Sequence, residues 1–195
     1  MKELIFASNN KHKIEQLKEQ LVGMKIMALK DIGYNEEIEE TGTTFLENAI
    51  IKAKTISDYM KEKGKPCAVL ADDSGICCDA LNGEPGIYSG RYAKTDGEHD
   101  WKANREKLIK NLKGKDNSAY FICVMVLYQP DGTYEYREGR CYGKIIDEER
   151  GDITFGYEPI FLSDDLNMTF GEASHEEKYK ISHRSKALNQ IKKLF

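Results

Sequence analysis

The chain has 195 residues, 40% of them apolar and 32% charged, which suits a folded domain with a substantial core and excludes a disordered chain. Its formal charge of −4 excludes a protein built to grip a nucleic-acid backbone, yet leaves room for a small anionic ligand held by a local cluster of cations. The five cysteines, Cys67, Cys77, Cys78, Cys123 and Cys141, are odd in number and lack a metal-type C-x-x-C pair, so they read as reduced thiols of a cytoplasmic protein. The longest apolar run, Phe121 to Tyr128, is too short to span a bilayer, and no partner in the membrane is expected.

From the N-terminus, Leu4 to Ala7 reads as a buried strand that runs into Ser8-Asn9-Asn10 and a helix with Ile14, Leu17 and Leu21 on one face. Asn9 or Asn10 is its cap. A strand, a polar turn and a helix start offer outward-pointing amides to a phosphate, and Lys11 and Lys13 add charge. The acidic run Glu36 to Glu40 reads, on composition alone, as a solvated face. Thr44 and Glu47 form a T-x-x-E capping box opening a long helix, whose apolar stripe is Phe45, Ala49, Ala53, Ile56 and Met60. Lys52 lies off that stripe and reads as solvated.

Ala68 to Ala71 reads as a second buried strand that ends in a turn, Asp72-Asp73-Ser74-Gly75. Two carboxylates at the C-terminal edge of an apolar strand point to a metal or catalytic site, with a structural Asx-turn as the rival reading. Residues 82–97 read as a long loop, Asp100 as the cap of a helix carrying Trp101, Leu108, Ile109 and Leu112, and Phe121–Tyr128 with Tyr134–Tyr142 as a hairpin about Pro130-Asp131-Gly132. Phe155 to Pro159 is a further turn, Ser174 and Glu177 make a second capping box, and a final helix carries Ala187, Leu188, Ile191 and Leu194. His183 and Arg184 fall at a helix start, where they are either structural or face an anion or a polar base edge.

These pieces describe an α/β enzyme of phosphate chemistry. Asp72, Asp73 and Glu40 are candidates to hold Mg²⁺ and activate water, and Lys11, Lys13, Lys52, Lys178 and Arg184 to neutralise phosphate charge. Composition and spacing do not name the substrate.

Five separated segments together resemble the inosine triphosphate pyrophosphatase family, the Ham1-like proteins. They are Ser8 to Lys13, Glu40 to Ala49, Ala71 to Gly75, Phe155 to Phe161, and Ser182-His183-Arg184; the loop from Gly83 to Tyr92 also matches. The resemblance implies one domain over 1–195, with a long twisted mixed sheet flanked by helices, two lobes with the active-site cleft between them, and a homodimer. It implies hydrolysis of ITP, dITP and XTP to the monophosphate and pyrophosphate, with Mg²⁺. Residue by residue, Ser8, Asn9, Asn10, Lys11, His12 and Lys13 match the triphosphate-binding turn, Glu40 a magnesium ligand, and Asp73 the general base that also touches the metal. Ser74, Lys52 and Lys178 match substrate contacts. Phe155, Gly156, Tyr157 and Glu158 match the base-binding turn, and His183 and Arg184 match donors to the base. Two positions depart from the family pattern: Asn9 replaces a glycine, a change that asparagine's tolerance of positive φ accommodates, and Glu158 replaces an aspartate. A pyrophosphatase for modified pyrimidine nucleotides, as in the Maf-like proteins, and a nucleotide-binding protein without turnover are the alternatives.

Overall fold

The computed structural model describes residues 3–94, 100–152 and 155–195; residues 95–97 of the loop read from sequence lie outside them. The described strands are β1 (Glu3–Phe6), β2 (Lys25–Met27), β3 (Val69–Cys78), β4 (Ser118–Tyr128), β5 (Tyr134–Ile145) and β6 (Phe161–Ser163). They form one mixed sheet in the order β2-β1-β3-β4-β5-β6. β1 is parallel to β2 and to β3, with Ile5 opposite Met27 on one side and Val69 on the other, whereas β5 and β6 are antiparallel. The described helices are α1 (Lys11–Gln20), α2 (Phe45–Glu62), α3 (Trp101–Leu112), α4 (His175–Ile181) and α5 (His183–Ile191).

By contacts the chain divides into two compact units. One contains the described residues up to Asp73 with Val124–Glu138 and Ala187–Phe195; the other contains Ser74–Cys123 and Gly139–Lys186. The core of the first gathers Ile5 from β1 and Ala7 just after it, Ala49, Ala53, Ile56 and Met60 from α2, Val69 and Ala71 from β3, and Val126 and Tyr128 from β4. That set includes most of the α2 stripe expected from its 3.6-residue period. The core of the second is more aromatic: Phe121, Tyr157, Phe161 and Phe170 pack with Ile76, Leu108, Leu112 and Ile160.

Local chemistry sets the helix boundaries. Asn10 caps α1 by accepting from Lys13 N at 3.2 Å, Asp100 caps α3 by accepting from Ala103 N at 3.0 Å, and Ser174 with Glu177 closes a reciprocal box at the start of α4. α2 departs from the expected box. Thr44 accepts from Glu47 N, but the Glu47 carboxylate returns to Thr43, taking its amide at 2.6 Å and its hydroxyl at 2.8 Å.

The sequence reading of β3 also needs correction. The strand does not end at Ala71; it continues through Asp72-Asp73-Ser74-Gly75 to Cys78, so these residues form no turn. The reason is that neither acid is left uncompensated. Successive strand residues point to opposite sides, and Asp72 meets a lysine of α1 while Asp73 meets an asparagine and a lysine of α2. With partners in place, two buried carboxylates need not terminate pairing.

Candidate active site

In the first unit the Ser8–Lys13 turn is fixed by its own polar groups. Ser8 Oγ accepts from Asn10 N at 3.1 Å, and Asn9 Oδ1 accepts from Lys30 N at 3.2 Å, tying the turn to the short 3₁₀ helix Leu29–Ile32. Positive φ in described non-glycine residues occurs at Asn82, Lys94 and Asn167 and not at Asn9, so replacing the family's glycine there brings no backbone strain. Lys11 and His12 are exposed on the first turn of α1. Lys13 is turned inward, with Nζ 2.8 and 3.0 Å from the two Asp72 oxygens, and Asp72 is 2% exposed.

Asp73 lies in a denser arrangement. Asn48, fully buried on α2, donates Nδ2 to Asp73 Oδ2 at 3.1 Å and accepts the Gly42 amide on Oδ1 at 2.9 Å. Lys52, one turn further along α2, places Nζ 3.0 Å from Glu40 Oε1 and 3.6 Å from Asp73 Oδ1. Lys52 is therefore not a solvated lysine, and Glu40 leaves the solvated acidic run to share its ammonium. Burial raises the Asp73 carboxyl above its ordinary range; Glu40 adds to that, while Lys52, Asn48 and Lys13 oppose it. Burial also works against the Lys52 charge, but Asp73, Asp72 and Glu40 outweigh it and hold the ammonium above its usual value.

Ser8, Asn9, Lys13, Glu40, Lys52 and Asp72 line one cavity of about 260 Å³. A larger one, about 640 Å³, lies beside the end of α3 among Lys110, Lys113, Lys115 and Asp147 and contains none of the residues read as functional. The smaller cavity is the candidate for chemistry, because it combines a helix start with opposed carboxylates and ammoniums. No group of three or more His, Cys, Asp or Glu suited to a metal gathers among the described residues. A magnesium site needs less than that, since one or two carboxylates suffice when water and substrate phosphates supply the rest. Glu40 and Asp73 already present oxygens to a single cation, the Lys52 ammonium, and so fit that limited role.

The second unit contains the other predicted residues. Ser74, next to Asp73 on β3, accepts from Arg184 Nη2 at 3.1 Å. His183 stacks on Phe121, with ring centroids 5.0 Å apart and planes 15° from parallel. Lys178, 8% exposed, donates Nζ to Glu158 Oε2 at 2.9 Å, so two residues assigned separately to substrate contacts are here an ion pair. In the turn before Glu158, Phe155 is 48% exposed and offers a ring face, Gly156 has φ of 59°, and Tyr157 is buried with its hydroxyl donated to Ser89 O at 2.8 Å. Burial raises the Tyr157 phenol far above its ordinary range, so it acts there as a neutral donor.

Sequence reasoning missed Asn48 and Arg105. Asn48 lay inside a motif without any sign that it would be buried against the acid, and Arg105 was one more charged residue in an amphipathic helix. Arg105 is 5% exposed, grips Glu149 with two nitrogens, and donates Nη1 to Gly156 O at 2.9 Å.

Comparison with known proteins gives a consistent picture. The sequence pattern of the Ham1 family matches residues 4–194. A Bacillus licheniformis protein named dITP/XTP pyrophosphatase is 47% identical, the match covering 100% of this chain and 98% of that one. A protein of the same name from Bacillus subtilis is 43% identical over 100% of this chain and 97% of its own. Among solved structures, the Staphylococcus aureus Ham1 protein superposes with a TM-score of 0.89 at 38% identity, covering 99% of this chain and 97% of that one. A HAM1 protein from Coxiella burnetii also gives 0.89, at 36% identity and coverages of 100% and 98%.

Proposed function

The chain belongs to the Ham1 family, and from that premise we propose that it hydrolyses non-standard purine nucleoside triphosphates, dITP, ITP and XTP, to the monophosphate and pyrophosphate. Full-length relatives bearing the name dITP/XTP pyrophosphatase support this reading. The observation that carries it is the single ammonium of Lys52 shared by Glu40 and Asp73 in a cavity that also opens on the Ser8–Lys13 turn.

In this mechanism the amides at the start of α1 and the Lys11 side chain meet the triphosphate, while Lys13, steadied by Asp72, adds charge at the same turn. Asp73 takes the proton of the attacking water, and burial, by raising its carboxyl above the ordinary range, makes it the stronger base. Asn48 keeps one Asp73 oxygen oriented and leaves the other toward Lys52. Glu40 and Asp73 are the residues that would hold Mg²⁺, which when bound would neutralise charge on the reacting phosphates. Lys52 then holds the two carboxylates together and offers its ammonium to the pyrophosphate that leaves.

Phe155 is the stacking face for the base, and the Glu158–Lys178 pair with His183 and Arg184 supplies polar groups for its edge. Hypoxanthine and xanthine present a 6-oxo acceptor where adenine presents an amino donor. A donor left opposite a donor costs about 1–3 kcal/mol, enough for roughly 5- to 150-fold discrimination. The protein acts as one 195-residue domain and as a homodimer in this reading, in the cytoplasm, where its five free cysteines stay reduced.

The test is a panel of ITP, dITP, XTP, GTP, ATP and modified pyrimidine triphosphates with and without Mg²⁺. Pyrophosphate release from the first three, dependent on Mg²⁺, is expected. Orthophosphate release, absence of base preference, or a preference for pyrimidines overturns the reading.

A further inference from the structure

Helix α3 grips the Phe155–Tyr157 turn along one face. Trp101 packs with its ring centroid 5.2 Å from Phe155 and 6.1 Å from Tyr157. Arg105, four residues on and therefore on the same side of the helix, donates Nη1 to Gly156 O at 2.9 Å. The guanidinium is aimed by Glu149, whose two oxygens take Nε at 2.8 Å and Nη2 at 3.2 Å. Three consecutive residues of the turn are thus addressed from two positions of one helix, and Tyr157 is tied to Ser89 O besides.

We propose that Arg105 is a positioning residue for base selection: by clamping the Gly156 carbonyl it fixes the left-handed turn that aims the Phe155 ring. This inference rests on the reading of Phe155–Glu158 as the base-binding turn.

A purely structural strut would not need this arrangement. The core of this unit already closes around Tyr157, Ile160, Phe161 and Phe170 through apolar contact. Glu149 is 43% exposed in its side chain, so water screens the carboxylate end of the pair although Arg105 itself is buried. The planar fork supplies direction: three donors in fixed geometry hold one carbonyl against one carboxylate, which a lysine ammonium cannot reproduce. Gly156, at φ 59°, is free to adopt other backbone conformations unless its carbonyl is held. Phe155 precedes it, so any rotation of that peptide swings the exposed ring.

The experiment compares wild type with Arg105→Gln, Arg105→Lys and Glu149→Gln on ITP, XTP and GTP, and reads Trp101, the chain's single tryptophan, by acrylamide quenching of its fluorescence. Arg105→Gln is expected to raise KM for ITP roughly 10-fold with kcat little changed, to narrow the ITP-to-GTP ratio of kcat/KM by a similar factor, and to make Trp101 more quenchable. Arg105→Lys should recover only part of each effect, and Glu149→Gln should shift all of them in the same direction by less. Variants that lose thermal stability but keep wild-type KM, base ratio and quenching would overturn the proposal, as would an equal loss of kcat on every substrate. If Arg105→Gln does not fold, Arg105→Lys and Glu149→Gln decide by the same readouts. A wild type without base preference would overturn the assignment of the turn instead, while the quenching would still report whether Arg105 holds it.

Discussion

Asn48 Nδ2 lies 3.1 Å from Asp73 Oδ2, a hydrogen bond between two buried side chains that leaves neither end of the amide idle, since Asn48 Oδ1 takes the Gly42 amide at 2.9 Å. The fit is close enough to dictate its neighbour: a Cβ on Gly42 would stand 2.6 Å from Asn48 Oδ1 and 2.9 Å from its backbone nitrogen. Asn48→Ala should therefore remove a hydrogen bond from a buried carboxylate and another from a backbone amide at once, at about 1–3 kcal/mol each. A lowered denaturation midpoint with a reduced rate of pyrophosphate release is expected, and Gly42→Ala should move both in the same direction by displacing the amide.

Asp73 is a costly residue, and its cost has a pH signature. Burial raises its folded-state carboxyl above the unfolded value. A raised acid contributes stability that is fully present below the unfolded pKa, near 3.9, and lost as pH rises through the folded one. At neutral pH the ionised Asp73 thus weighs against the fold. Asp73→Asn should be as stable as wild type or more so at pH 7, with the difference shrinking as wild type is acidified and protonates. Turnover should fall about 10²- to 10⁴-fold, the usual contribution of a positioned base. Thermal melts across pH with a turnover assay check both; a variant that keeps its activity removes Asp73 from the base role.

Lys13 and Asp72 test the other acid of the pair. Asp72 is 2% exposed and receives Lys13 Nζ on both oxygens. Deleting one partner of a buried ion pair costs about 3–5 kcal/mol, because the remaining charge stays out of water. Lys13→Met should destabilise on that scale, whereas Lys11→Met, at an exposed neighbour on the same turn, should stay within about 0.5 kcal/mol. Urea denaturation of the two variants separates a lysine that serves the fold and the site from one available to phosphate alone.

The caps were legible in the sequence because they are local: Asn10, Asp100 and Ser174 act within three residues of themselves. So were the α2 stripe and the β4 run, whose periodicity and apolarity reflect burial directly. What escaped depended on partners far along the chain. Asp72 and Asp73 looked like a strand end because the compensating Lys13 and Asn48 sit 59 and 25 residues away. Lys52 stood off the apolar stripe and read as solvated, since periodicity marks which residues meet the core and not which meet a buried acid. β2 is three residues long, too short to show a pattern. Arg105 looked like any helical arginine, because nothing local announces a carbonyl acceptor 51 residues downstream.

Glu158 is where this chain leaves its family's pattern, and the pair it makes gives that departure a consequence. Its carboxylate takes Lys178 Nζ at 2.9 Å, with side chains 22% and 10% exposed, so the lysine is drawn to the acid rather than to solvent. Aspartate at this position is one methylene shorter and withdraws its oxygens by roughly 1.5 Å, beyond hydrogen-bond range of an unmoved Lys178. Glu158→Asp should therefore free a donor beside the base. Xanthine has a second oxo acceptor at position 2 where hypoxanthine has none, so it gains most from that donor. The expected result is a rise of about 3- to 20-fold in kcat/KM for XTP relative to ITP, the range of one hydrogen bond worth roughly 0.7–1.8 kcal/mol. Steady-state assays of both substrates on one preparation measure the ratio directly. An unchanged ratio would take the Glu158–Lys178 pair out of base selection and leave it a tether between the turn and α4.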